Sequence, residues 1–146
     1  MNVDASGAVR IEVLAELQKL RHDVEHVEGG IVATTDGLLI THDLMTSATY
    51  GVEPEAVAAL AAVNLGLSQR VIDNASHGDL AETVIRGSLG QVVTYPAGER
   101  ALLTILVNTS GDIGLLHDRA RRTAQRVADL VQNLDLKPWP DQPSWD

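Results

Sequence analysis

The chain contains no cysteine and no phenylalanine, and only 3% of its 146 residues are aromatic. The absence of cysteine excludes disulfides, thiolate zinc sites and cysteine nucleophiles, and it fits a reducing compartment such as the cytoplasm. The absence of phenylalanine means that leucine, isoleucine, valine and alanine must build the core. Because helices rich in alanine approach their neighbours closely, we expect tight helix packing.

Basic residues and long apolar runs are also scarce. Eleven lysines and arginines stand against 20 aspartates and glutamates, which gives a net charge of -9. This deficit argues against nucleic-acid binding and against attraction to anionic membranes. No apolar run approaches the roughly 20 residues that a membrane-spanning helix needs, and the first nine residues show no signal-peptide pattern. The sequence therefore predicts a cytoplasmic protein that neither binds nucleic acid nor inserts directly into a membrane.

Hydrophobic periodicity predicts a single domain over residues 10–134. A flexible tail is expected over 1–9, and an extended tail with several prolines and two tryptophans over 135–146. The glycine pair 29–30 is expected to end the first helix, and Asp36-Gly37 predicts a hairpin turn with positive φ at both positions. The predicted elements are a helix over 11–27, strands over 31–35 and 38–42, a helix over 54–74, strands over 80–86, 91–95 and 100–107, and a helix from a cap at Ser110 or Asp112 to Leu134.

This order predicts an α+β fold, in which a five-stranded antiparallel sheet is sandwiched between helices. The last strand is apolar on both faces, which favours a central position in the sheet. The last helix carries an apolar stripe at helical spacing, which predicts its core face. The stripe consists of Ile113, Leu116, Ala120, Ala124, Val127, Val131 and Leu134.

Four segments of the chain resemble the roadblock family, the dynein light-chain type domain. Residues 29–40 resemble the first hairpin of that family, 55–62 its alanine-rich second helix, 98–107 its last strand, and 108–120 its entry into the last helix. The resemblance covers residues 10–132 and rests on the order and spacing of these segments together. It implies a roadblock/profilin-like fold with the second helix on one face of the sheet and the other two helices on the opposite face.

The same resemblance implies a homodimer built on the second helix and the third strand. Bacterial members of the family regulate small GTPases, and actinobacterial members of similar size are placed in signalling modules with a sensor-kinase-like protein and a small GTPase. The implied partners are therefore a second copy of the chain, a small GTPase and a sensor-kinase-like protein. The expected interface residues are Ala59, Ala62, Val63, Gly66, Arg70, Thr83 and Ile85.

The second helix itself has two sides that are apolar or small. Helical projection places one broad face opposite a second, narrower one. The broad face contains Val57, Leu60, Ala61, Asn64, Leu67, Ser68 and Val71, and the narrow face contains Ala59, Val63, Gly66 and Arg70. A helix that only covers a sheet needs one apolar side, so we expect the second side to bind a partner. The alternative is that alanine is simply a good helix former and that this side is solvated.

No residue pattern indicates catalysis, a cofactor or a resident metal, so we expect the protein not to be an enzyme. His22 and His26 match the H-x-x-E-H zinc motif by letter, but we interpret them as a polar helix surface. Arg119, Arg122 and Arg126 form a basic stripe, which either faces solvent or meets an acidic partner or the acidic first helix. Trp139 and Trp145 either dock on a surface or lie in a disordered tail.

The sequence is compatible with two functions. The first is a non-enzymatic regulator or scaffold that homodimerises, binds a small GTPase and modulates its nucleotide state. The second is a small-molecule-binding sensor domain, which requires a cavity lined by converging polar groups.

Overall fold

The computed structural model describes residues 3–45, 49, 51–132 and 134. Three helices and five strands follow one another in the predicted order, helix, two strands, helix, three strands, helix. Their bounds are α1 Val3–Asp23, β1 Val27–Thr34, β2 Leu39–Leu44, α2 Pro54–Asn74, β3 Thr83–Arg86, β4 Gln91–Ala97, β5 Ala101–Val107 and α3 Gly114–Val131. The predicted tail over 135–146, with Trp139 and Trp145, lies outside the described residues.

The five strands form one antiparallel sheet in the order β2-β1-β5-β4-β3. β5 occupies the centre, as its apolar sequence predicts, and Leu102 and Leu103 are both fully buried because successive side chains point to opposite faces. Leu103 packs in the larger core beneath α1 and α3, whereas Leu102 packs beneath α2. The predicted fold class and the predicted division of helices between the two faces are both confirmed.

The first helix begins earlier and ends earlier than the periodicity predicts. It starts at Val3, so the expected tail over residues 1–9 is wrong from that residue onward. Arg10 accounts for part of this extension, because its side chain hydrogen-bonds Ser6 Oγ one turn back and donates from Nε to the Ile40 carbonyl of β2 at 3.2 Å. The helix stops at Asp23, and Arg21 then ties it to Asp43 of β2 with an Nε–Oδ2 distance of 2.6 Å.

Gly29 and Gly30 do not cap the helix, because both lie inside β1. A Cβ atom on Gly29 would stand 2.5 Å from the carbonyl oxygen of Asp43, and one on Gly30 would stand 2.9 Å from a methyl of Leu17. These glycines therefore allow close approach of a neighbouring strand and of α1. The positive φ after the helix belongs instead to His26, at 71°.

Two turns also differ in detail from expectation. In the β1–β2 hairpin only Gly37 has positive φ, at 92°, and Asp36 does not. The Gly37 N–H donates to the Thr34 carbonyl, and the Thr34 N–H to the Leu38 carbonyl, so the loop is one residue longer than a two-residue hairpin. At α3, Asp112 rather than Ser110 accepts the Gly114 backbone N–H, at 2.9 Å.

The apolar stripe of α3 is confirmed as its core face, with all members buried except the half-buried Ile113. The helix itself ends at Val131 rather than at Leu134, whose N–H donates to the Val131 carbonyl in a closing turn. None of the helices in the described ranges is long and apolar enough to cross a membrane.

The glycine at position 29 provides a test of the packing between β1 and β2. We expect Gly29→Ala to lower the free energy of unfolding by about 2 kcal/mol, since backbone atoms cannot move aside as a side chain does. Urea denaturation measures the change. The control is Gly7→Ala in α1, where a Cβ atom meets nothing within 4 Å. This control should raise stability by up to about 1 kcal/mol, and an equal loss in both variants would contradict the assignment.

Candidate interaction surface

The helix α2 spans Pro54–Asn74, the range that the sequence predicts. Pro54 stands in its first turn, where backbone N–H groups have no acceptor within the helix, so the N–H that proline lacks costs no hydrogen bond. The alanines that follow favour the helix without bulk. The described chain then turns back through Ser76 and Gly78, which have φ values of 57° and 85°, toward β3.

Three alanines and one leucine form the inner face of α2. Ala58, Ala61, Ala62 and Leu65 are buried and pack on a cluster that includes Ile31 of β1. Ala33 and Leu102 complete the sheet side of this cluster. The contact is close enough at the N-terminal half that a Cβ atom on Gly37 would stand 3.2 Å from the Ala59 Cα atom. The bulk beneath α2 is thus supplied mainly by the sheet.

Large aliphatic residues form the opposite face of α2. Leu60, Val63, Leu67 and Val71, here called the outer stripe, have 70%, 67%, 62% and 62% of their surface exposed. Their spacing of three, four and four residues aligns them along the side of the helix farthest from the sheet. An exposed apolar patch of this kind marks an interaction site when its members are contiguous.

The outer stripe cuts across the two faces that the sequence projection proposes. Leu60, Leu67 and Val71 belong to the broad face, which the projection offers to the sheet, yet they are exposed. Val63 comes from the narrow face. Side-chain volume is the sequence signal that could have identified the outer stripe. Where a sheet already supplies large side chains, the alanine row of a helix lies against it and the adjacent row of leucine and valine faces outward.

The structure places the predicted interface residues in three different environments. Ala59, Val63, Gly66 and Arg70 are exposed on α2, and a Cβ atom on Gly66 would meet nothing within 4 Å. Ile85 on β3 is 52% exposed. The other two predicted residues are largely buried within the subunit, each with 9% of its surface exposed. These are Ala62, on the inner face of α2, and Thr83, at the start of β3.

A groove runs between the C-terminal half of α2 and β3. Its open volume is about 310 Å³, and its lining includes Val71, Leu80, Val84 and Ile85. Asn64 closes one end by donating from Nδ2 to Thr83 Oγ1 at 3.1 Å, a partner that the sequence did not identify. The groove continues the apolar surface of the outer stripe to the edge of the sheet.

The strand β3 is an edge strand of four residues, paired on one side with β4. Among the residues that the structure describes, its other side has no strand partner. Val84 and Ile85 are 40% and 52% exposed there. An exposed apolar edge is a template for pairing with another chain. The outer stripe, the groove and this edge form one continuous surface.

The histidines do not form a metal site of the kind that the letter motif suggests. The helix ends at Asp23, so His22 and His26 do not share a helix face, and His26 Nδ1 lies 3.1 Å from Asn108 Oδ1. Within the described ranges, no group of three or more His, Cys, Asp or Glu side chains is placed to hold a metal ion.

His117 has a structural partner in the core beneath α3. Its Nδ1 lies 2.7 Å from the hydroxyl of the buried Tyr95, and the two rings meet edge to face. Burial, with a smaller contribution from the carboxylate of Glu82, raises the pKa of Tyr95 above its ordinary value. The hydrogen bond and the ring contact hold the first turn of α3 on β4.

Comparisons with known proteins agree with this geometry. Residues 13–107 match the Roadblock/LC7 domain family model. An uncharacterised protein of Methanocaldococcus jannaschii is 31% identical over 115 residues, which cover 79% of this chain and 93% of that relative.

Two solved structures of low sequence identity show a similar fold. A structure described as MglB with tetrameric arrangement has a TM-score of 0.78 at 18% identity, covering 86% of this chain and 91% of that one. A Roadblock/LC7 domain from Streptomyces avermitilis has a TM-score of 0.70 at 19% identity, covering 81% and 96%.

The two faces of α2 can be separated by a matched pair of leucines. Leu65→Ala should lower the free energy of unfolding by about 2–4 kcal/mol at every protein concentration, because Leu65 is buried on the sheet. Leu67→Ala should change it by at most about 0.5 kcal/mol in dilute solution, and by more as self-association becomes populated. Thermal unfolding over a hundredfold range of concentration measures both. A concentration-independent loss at Leu67 would place that residue in the core.

Proposed function

Because the chain belongs to the Roadblock/LC7 family, we propose that it is a non-enzymatic regulator that forms a homodimer through α2 and β3 and binds a small GTPase. In this proposal the dimer modulates the nucleotide state of the GTPase within a signalling module in the cytoplasm. The observation that carries the proposal is the outer stripe, whose four large aliphatic side chains are exposed to solvent along one side of α2.

The outer stripe has the chemistry of a self-complementary contact. Between residues 56 and 72 the helix carries no acidic residue, in a chain that has 20 of them. Two copies can therefore meet here without the repulsion that a net charge of -9 imposes elsewhere. The stripe residues repeat as in a helix–helix seam, and Ala59 and Gly66 beside them leave room for a second backbone.

The edge of β3 supports the same arrangement. In a two-fold dimer, the interface surface of one copy meets the same surface of the other copy. The outer stripe and the β3 edge belong to one surface, so both contribute to the contact. The four-residue edge adds the exposed Val84 and Ile85 to the buried area, and the α2–β3 groove connects the two contributions. The interface residues under this proposal are the outer stripe, Ala59, Gly66, Arg70, Val84 and Ile85.

Regulation of a GTPase by such a dimer needs no catalytic group of its own. Hydrolysis and exchange depend on how the GTPase positions its nucleotide, its metal ion and its attacking water. A regulator that orders those elements by surface contact changes turnover without donating an arginine. The family resemblance supplies the class of partner, and a sensor-kinase-like protein would be a further member of the same module.

No specific observation favours the alternative of a small-molecule sensor. The α2–β3 groove is open, and two of its polar side chains, Asn64 and Thr83, bind each other. Throughout the described part of the chain, the buried side-chain nitrogen and oxygen atoms all have hydrogen-bond partners.

Self-association can be tested with two leucines of equal exposure. We expect Leu67→Glu to convert the dimer to a folded monomer, because it places a charge in the centre of the apolar contact. The control is Leu115→Glu on α3, where the leucine is also 62% exposed but lies on the other face of the sheet. Sedimentation equilibrium measures the mass. A dimer that survives Leu67→Glu, or that both variants abolish, would rule out the proposed interface.

The GTPase role needs a separate experiment, which uses small GTPases from the same organism as this chain. Native protein should form a complex with one of them and change its rate of nucleotide hydrolysis or exchange, and Leu115→Glu should do the same. Leu67→Glu should lose the effect if the dimer is the active form. Absence of both a complex and a rate change with the native protein would contradict the proposed function.

A further inference from the structure

A second surface lies on the opposite face of the sheet, where α1 and α3 pack side by side over the larger core. The two helices leave an open groove of about 170 Å³ between them. Its charged lining consists of Lys19, Arg119, Arg122 and Arg126 together with Glu16 and Asp23. The basic stripe of α3 therefore does meet the acidic first helix, which was one of the alternatives that the sequence left open.

The groove has a local excess of positive charge. Four cationic side chains stand against two carboxylates in its lining, whereas the whole chain has a net charge of -9. α3 alone holds four of the eleven basic residues, Arg119, Arg121, Arg122 and Arg126. Three of these four arginines, all except Arg121, line the groove where α3 borders α1.

The arginine side chains of the ion pairs at this groove are largely exposed, at 46% for Arg119 and 55% for Arg126. Arg126 lies 3.2 Å from Glu16, and Arg119 lies 3.8 Å from Asp23. Arg122 pairs at 3.4 Å with Asp118, one turn back on its own helix, and its side chain is 70% exposed. Exposed pairs of this kind contribute little stability. Their guanidinium groups remain available to the carboxylates of another molecule.

The shape of the groove favours an elongated ligand over a small one. Leu20 and Thr123 close its floor, since both are buried. The three arginines occupy positions i, i+3 and i+7 of α3, so they extend over roughly 10 Å of helix axis. A row of carboxylates along a peptide matches this strip, and a single compact anion would contact only part of it.

We propose that the α1–α3 groove is a docking site for an acidic segment of a partner protein, which Arg119, Arg122 and Arg126 recognise. Charge complementarity selects this occupant, because the rim is basic and no large apolar side chain lines the groove apart from the buried Leu20. An anionic membrane is disfavoured, because the remainder of the chain repels a negatively charged surface. The groove and the outer stripe lie on opposite faces of the sheet, so the two surfaces can be occupied together.

The test measures binding of a fluorescent octaglutamate peptide to the full chain by anisotropy at 50 mM KCl, with octaglutamine as the neutral comparison. We expect octaglutamate alone to bind, and binding to be lost at 500 mM KCl because salt screens exposed charges. Arg122→Gln should weaken the affinity roughly three- to fivefold. Lys19→Gln, on the other wall of the groove, should weaken it by a similar factor.

The matched control is Arg121→Gln, one residue away on the same helix. Arg121 is directed toward Glu82, at 2.8 Å, and does not line the groove. It should change the affinity by less than about 1.5-fold, although its charge change equals that of Arg122→Gln. Equal losses in the two variants would show a general charge effect and overturn the proposal.

Two further outcomes would also overturn it. One is failure of octaglutamate to bind the native chain. The other is binding of the chain to phosphatidylserine vesicles, sensitive to Arg122→Gln, without binding of the peptide. Leu67→Glu should bind the peptide with unchanged affinity, so the fate of this groove is distinguishable from that of the proposed dimer.

Discussion

The close packing of small α2 residues on the sheet is the constraint on which the exposed apolar surface of α2 depends. Ala58 and Ala61 lie over Ile31 and Leu102, and the sheet residues supply most of the volume. A helix seated in this way directs mainly alanines inward, and Leu65 is the one large side chain that it buries on the sheet. The four residues of the outer stripe remain exposed on the opposite side, where burial requires a second molecule. The packing that completes the core beneath α2 thus leaves the apolar outer stripe of this helix exposed.

The two faces of the sheet offer different chemistry to partners. On one face, α1 and α3 cover the larger part of the core and present charged side chains to solvent. On the other face, α2 covers a smaller core and presents aliphatic side chains. Contacts with the first surface depend on ionic strength, and contacts with the second depend on buried area. Such a domain has the physical means to hold two kinds of partner.

Much of the fold was predictable, because its longer elements have clear periodicity. The bounds of α2, the central position of β5 and the core face of α3 all agree with expectation. Several of the errors fall where long-range contacts override local signals. Gly29 and Gly30 resemble a helix cap locally, but a neighbouring strand and α1 require their missing side chains. Likewise, Arg10 extends α1 through a bond to β2, which is 30 residues away.

The sequence by itself determined that α2 has more than one apolar side, since alternation of leucine, valine and alanine is a local property of the helix. Only the tertiary structure decided which side faces the sheet. Ile31 and Leu102 reach α2 through strands that are distant in the chain, and their volume selects the alanine side for the core. Helical projection of the α2 sequence takes no account of the volume of these sheet residues. The surface open to a partner is therefore a property of the folded domain.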